Sequence, residues 1–140
     1  LDPRFRPSIV ADARFLPMRR VETITLLWAS PPCTEFSKTD MPWYAAEHIK
    51  PDLCLVEAVY DLVRELGPRF WILENVRGAI KYIGPARESH CPIFLWGEFP
   101  PLQYRRRPSK ENRRHDDPSF RAELPYDLSW AVASAVEAWA

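Results

Sequence analysis

Two chemically capable residues stand where apolar runs stop. Cys33 lies just beyond the run ETITLLWA (22–29), after Ser30-Pro31-Pro32, and Glu74 directly follows FWIL (70–73). A thiol in a loop past a strand end is a nucleophile when its surroundings favour the thiolate. A carboxylate held against an apolar strand end is partly desolvated, so its pKa rises and it can hold or donate a proton near neutral pH. Nucleophilic attack assisted by a nearby acid is the chemistry this pair offers. Each residue alone also fits a plain role, the cysteine as a small buried hydrophobe and the glutamate as the cap of a following turn. Cys54, within an apolar helical stretch, fits the buried-hydrophobe role.

The elements that must position the pair are readable. The 22–29 run is rich in β-branched and large apolar residues and predicts a buried strand, stopped by prolines that cannot donate to a sheet ladder. Residues 33–50 predict a long loop, a type that is often functional. Pro51 opens a predicted helix carrying Leu55, Val59, Leu62 and Leu66 at helical spacing, closed by Gly67-Pro68. FWIL predicts a second strand, 76–83 a short helix and IFLW (93–96) a third strand. Ile9-Val10-Ala11 suggests a further short strand. Residues 100–124 predict an irregular basic loop, and Pro125 opens a last helix with Leu128, Val132, Val136 and Trp139 on one stripe. Strands alternating with helices imply an α/β fold with a mostly parallel sheet flanked by helices, in which ligands gather at the carboxyl ends of the strands. One crossover would put Cys33 and Glu74 on the same edge.

Composition narrows the function classes. The 140 residues suit a single domain, and 46% hydrophobic content is enough to build a core. Nineteen basic residues balance nineteen acidic ones, so any grip on nucleic acid must come from a local cluster and not from bulk charge. The apolar stretches fall far short of the roughly 20 residues of a membrane span, and the first residues lack the apolar core of a signal peptide. Cys33, Cys54 and Cys91 form no CxxC pair, which argues for a reducing, cytoplasmic setting. His48, His90 and His115 are scattered, so no metal site is expected. The four glycines make neither GxGxxG nor a Walker loop.

Taken together, two segments resemble a known family. Ser-Pro-Pro-Cys-Thr-Glu-Phe-Ser (Ser30 to Ser37) resembles the nucleophile loop of the DNA cytosine-5 methyltransferases, and Glu74-Asn75-Val76 resembles their Glu-Asn-Val element, in family order. The resemblance implies a partial Rossmann-like S-adenosylmethionine-dependent methyltransferase fold. It also implies methyl transfer to carbon 5 of cytosine in DNA, on a base flipped out of the duplex. Cys33 would attack carbon 6, and Glu74 would bond ring N3 and the exocyclic amine. Pro32 would shape the loop beside the cofactor, while Thr34 and Ser37 would line the pocket or touch DNA. Asn75, with Val76, would hold loop geometry. Localisation would be the cytoplasm of a bacterial or phage-infected cell, with restriction-modification as the biological setting.

The resemblance extends outward. Val10-Ala11-Asp12-Ala13 is similar to the segment whose acidic residue bonds the cofactor adenine, a role that falls to Asp12, although an ordinary turn or cap aspartate fits as well. For the family's Gln-x-Arg-x-Arg element two placements compete. Gln103-Tyr104-Arg105-Arg106-Arg107 matches by letters, and residues 87–92 match by position, with His90 at the first arginine. The positional match leaves Arg105, Arg106 and Arg107 as a basic cluster for DNA phosphates. Residues 123–136 resemble the last helix of short, phage-type members. The family's glycine-rich cofactor loop and its ribose-binding acid precede everything in this sequence, and only 98–124 stands in place of a target-recognition region. The expectation is a single catalytic domain, residues 1–140, incomplete at its N-terminus. The absent part would be supplied by a longer product or a second polypeptide, unless the chain is a non-catalytic DNA-binding or regulatory remnant. An RNA cytosine methyltransferase shares the same chemistry.

Overall fold

Prolines and short apolar runs set the elements seen in the computed structural model, which describes residues 11–16, 23–38, 50–104 and 124–139. In chain order these are a 3-10 turn (Ala13–Phe15), β1 (Leu26–Ala29), α1 (Thr34–Lys38), α2 (Cys54–Leu66) and β2 (Phe70–Asn75). A second 3-10 turn (Arg77–Ala79) then runs into α3 (Ile80–Ile83), followed by β3 (Glu88–His90), β4 (Ile93–Glu98) and α4 (Tyr126–Trp139). The chain forms two compact units, Asp12–Phe99 and one composed of residues 1–11 and 100–140.

Within Asp12–Phe99 the four strands make one open sheet in the order β1-β2-β4-β3. The α/β class is as expected, but the sheet is mixed where a mostly parallel one was predicted. Only β1 and β2 pair parallel; β2 with β4 and β3 with β4 are antiparallel. Connection length is the reason. β3 and β4 are joined by Cys91 and Pro92 alone, and so short a link closes a hairpin but cannot carry a crossover. β3 is a strand the sequence did not announce, because Glu-Ser-His has no apolar signal.

Helix α2 follows its spacing. It begins at Cys54, three residues later than Pro51 suggested, where the Asp52 side chain accepts from the Cys54 backbone N–H at 2.8 Å. It ends at Gly67, whose φ of 54° is a left-handed cap that frees the last turn to close through Gly67 N–H to the Val63 carbonyl. Val56 and Val59 of α2 enter a core with Phe36, Leu73, Ala79, Phe94 and Trp96, and Leu27, Ala29 and Trp71 pack at its margin. Burying a side chain of this size stabilises the fold by about 1.5–3 kcal/mol.

Strand period puts Leu27, Ala29, Trp71, Leu73 and Asn75 on the α2 face, and Trp28, Ile72, Glu74 and Leu95 on the other. Ile72 and Leu95 of this second face are fully buried. Gly97 is required where β4 passes β2: at φ 131°, an added Cβ would lie 2.1 Å from the Trp71 carbonyl oxygen.

In the second unit α4 buries Leu128, Val132 and Val136 as the stripe predicted. Trp139, expected on the same stripe, is 62% exposed; it sits in the terminal turn, where the stripe no longer has to be covered. Arg105, Arg106 and Arg107, most of the 98–124 loop, and the Ile9-Val10 part of the suggested strand lie outside the described residues, and Ala11 is not in a strand.

Candidate functional site

The parallel register aligns Leu26 with Phe70 and Ala29 with Leu73, so the carboxyl ends of β1 and β2 share one edge. The Pro-Pro-Cys and Glu-Asn-Val segments meet there. Asn75, 1% exposed, donates from Nδ2 to the Pro31 carbonyl at 3.0 Å, while its Oδ1 accepts from the Val76 backbone N–H at 2.9 Å. A buried amide with both ends satisfied is a rigid tie, and it fixes the loop two residues before Cys33. Val76 packs against the core beside it.

A second anchor lies beyond the cysteine. Phe36 of α1 is 1% exposed and sits in the core, its ring 6.1 Å from that of Tyr82. Between the anchors, Pro32, Cys33 and Thr34 are exposed. Cys33 occupies the turn that leads into α1, its carbonyl accepting from the Ser37 backbone N–H at 2.8 Å. The loop of 33–50 is therefore not wholly irregular: its first part is helical and pinned, and residues 39–49 lie outside the described set. Ser37 is exposed on α1.

Glu74 is placed differently from the sequence expectation. It is not the residue after a strand but the penultimate residue of β2, because β4 continues the ladder through Glu74–Leu95 and Asn75–Phe94. Flanked by strands on both sides, it is half-buried. Burial pushes its carboxyl above the usual carboxylate range, and a hydrogen bond from the Ser30 side chain pulls the other way. Ser30 Oγ in turn accepts from Trp28 Nε1 at 2.9 Å. Sequence reasoning missed Trp28 and Ser30. Their signal was the two-residue period into Ser30, which turns the side chain toward Glu74 only when the β1–β2 register is known.

His90 stands on the same sheet face as Glu74, across β4: the rows Glu74–Leu95–Glu88 and Ile93–His90 set Glu88 and His90 one strand beyond Leu95. His90 Nε2 lies 2.9 Å from Glu88 Oε2. Glu88 is a second partner the sequence did not suggest.

Asp12 sits elsewhere in local terms. It caps the first 3-10 turn, accepting from the Arg14 backbone N–H at 2.9 Å and pairing with the Arg14 guanidinium at 2.5 Å. The guanidinium and backbone bonds lower its carboxyl to about 2. Cys54 is also not the plain buried hydrophobe expected. It is half-buried, and its Sγ–H donates to Asp52 at 3.3 Å, which raises its pKa.

A groove of about 520 Å³ runs along β1 and α2, lined by Leu26, Trp28, Ser30, Pro31, Pro32 and Leu62 among others. Its walls suit the flat face of an adenine. They do not fit the whole of S-adenosylmethionine, since Ser30 is the only lining residue with a polar side-chain oxygen and no lining carboxylate is available for a ribose diol or an ammonium group. No group of three or more His, Cys, Asp or Glu among the described residues could hold a metal ion, and none of their helices is long and apolar enough to cross a membrane. Comparison with protein-family models, curated proteins and solved structures finds no significant match.

Proposed function

We propose that the chain carries the cytosine-activating half of a DNA cytosine-5 methyltransferase site, with Cys33 as nucleophile and Glu74 as acid. The observation that supports this most is the Asn75–Pro31 hydrogen bond, which joins the two segments that carry the resemblance into one edge. An exposed thiol on a doubly anchored loop beside a half-buried carboxylate is what attack on an aromatic ring requires.

Carbon 5 of cytosine is a poor nucleophile. Addition of the Cys33 thiolate to carbon 6 forms a C–S bond and pushes electron density into the ring. Glu74 gives its proton to N3 as that charge develops, leaving an enamine that is nucleophilic at carbon 5. A raised Glu74 pKa serves this step, because the acid must be protonated near neutral pH to act. Loss of the carbon 5 proton and expulsion of the thiolate after methylation would restore aromaticity. S-adenosylmethionine is the donor the resemblance implies; the residues described here account for activation of the base, not for holding the donor.

The target must be extruded from the duplex to reach such an edge. Arg105, Arg106 and Arg107 are proposed as phosphate contacts, and Thr34 and Ser37 as residues facing the nucleic acid. His90, held by Glu88, is the cationic candidate across the sheet when protonated. The test is transfer of a labelled methyl group from S-adenosylmethionine to DNA, followed by hydrolysis and identification of the labelled base. Label in 5-methylcytosine is expected. Its absence from DNA, with label appearing in RNA supplied in parallel, would move the substrate to RNA. Absence from both overturns the proposal.

A further inference from the structure

The second face of the sheet holds a short chain of polar groups that the roles above leave unused. Trp28 and Ser30 sit two apart at the end of β1, so both project to the face that carries Glu74. Trp28 Nε1, a donor only, gives its hydrogen to Ser30 Oγ at 2.9 Å. The side chain of Ser30 is hydrogen-bonded to Glu74. An indole N–H cannot accept, so its bond orients the hydroxyl: the Ser30 oxygen is engaged by Trp28 and its hydrogen is left for the carboxylate.

We propose that Ser30 is a positioning residue for Glu74, its hydroxyl aimed by Trp28 so that it holds one carboxylate oxygen and leaves the other to exchange a proton with the bound base. The proposal rests on the reading of Glu74 as the acid of cytosine activation. A carboxyl group carries one transferable proton and two oxygens. A fixed donor on one oxygen settles which of the two presents the proton, and it resists rotation of the group at the end of a flexible stem. Strand pairing on both sides of Glu74 fixes the backbone; the Ser30 bond extends that order to the carboxylate.

The surroundings leave this role to Ser30. On the face they share, the neighbour of Glu74 across β4 is Leu95, which is uncharged and fully buried. The titratable groups nearest in register are Glu88 and His90 of β3, one strand farther and bonded to each other. Cys33 belongs to the adjoining loop. The Ser30 bond favours the charged carboxylate while burial disfavours it, so the hydroxyl moderates a shift that burial alone would carry further.

The experiment is an NMR titration of the Glu74 side-chain carboxyl, in the whole protein, for wild type, Ser30→Ala, Ser30→Thr and Trp28→Phe. It is paired with methyl-transfer kinetics across pH. Ser30→Ala is expected to move the Glu74 titration upward and to lower kcat roughly five- to tenfold with KM unchanged, the signature of a bond used in the transition state. Ser30→Thr keeps the hydroxyl and restores both. Trp28→Phe, which frees the hydroxyl to rotate, falls between. A Glu74 titration unmoved by Ser30→Ala, or a Ser30→Thr variant that behaves like Ser30→Ala, overturns the proposal. The titration shift in a protein that never reacts with cytosine supports the Ser30–Glu74 assignment and overturns the function proposed above, so the two failures are distinguishable.

Discussion

A thiol and a carboxylate occur together in two regions of this molecule, and the regions use them in opposite ways. At the β1–β2 edge, Cys33 is exposed on an anchored turn, and burial drives the Glu74 carboxyl up toward its protonated form. At the start of α2, Cys54 donates its thiol hydrogen to Asp52, which lowers the Asp52 pKa and raises that of the thiol. Asp12, close in sequence to Arg14, is pulled down to about 2 by that guanidinium. The second region holds its thiol protonated and its acids ionised, a state that suits structure and not attack on a ring. Residue type is the same in both; burial and partners decide what each can do.

The largest expected difference is in the thiols. Cys33→Ala should abolish methyl transfer, whereas Cys54→Ala should leave the rate within about twofold, the change for a residue that touches no reacting atom. Loss of activity with Cys54→Ala in a protein that still folds would erase the distinction between the regions. Next come the carboxylates. Glu74→Gln should lower the rate by roughly 10²- to 10⁴-fold, the range of general acid catalysis, measured as single-turnover label transfer. Asp12→Asn serves as the control for a carboxylate engaged in a local cap and should not approach that loss.

A smaller effect should follow from the tie between the segments. Asn75→Ala leaves the Pro31 carbonyl and the Val76 N–H without their partner in a buried site, which costs about 1–3 kcal/mol by urea denaturation. Activity should fall as well, since the loop before Cys33 loses one of its two anchors.

The smallest effect is in the pH dependence of stability, and there the two regions differ in sign. Glu74 titrates higher in the folded protein than unfolded, so its protonated form favours folding. That contribution is full below the unfolded pKa and is lost as pH rises through the folded value. Asp12 titrates lower when folded, so its contribution is present above the unfolded pKa and is lost as pH falls toward about 2. Glu74→Gln should therefore raise the melting temperature at neutral pH, with the gain vanishing in acid. Asp12→Asn should lower it slightly at neutral pH, also vanishing in acid. Thermal melts across pH check both, and equal signs would contradict the environments described.

Much of the framework was legible in the sequence because apolar runs and prolines are local signals. Strands β1, β2 and β4, helix α2 with its Gly67 end, and the buried stripe of α4 all follow from residue type and period. Strand direction did not, since alternating strands and helices suggest crossovers while the two-residue Cys91-Pro92 link makes a hairpin. Nor did β3, whose three polar residues carry no burial pattern. At the site, the meeting of the segments holding Cys33 and Glu74 at one edge was readable from their positions after apolar runs. The Trp28–Ser30–Glu74 chain was not, because it depends on register between strands some 40 residues apart in sequence, and register is a tertiary property. Asp12 shows the converse: its residue type fits a binding role, and its nearest partner, Arg14, gives it a structural one.

The most direct measurement is covalent capture. The protein is incubated with S-adenosylmethionine and DNA in which cytosine is replaced by 5-fluorocytosine, where the carbon 5 substituent blocks release of the thiolate. A denaturation-resistant protein–DNA adduct whose attached residue maps by mass spectrometry to Cys33, and which is absent in Cys33→Ala, is the predicted result. No adduct with the wild-type protein, or an adduct that maps to Cys54 or Cys91, would contradict the account.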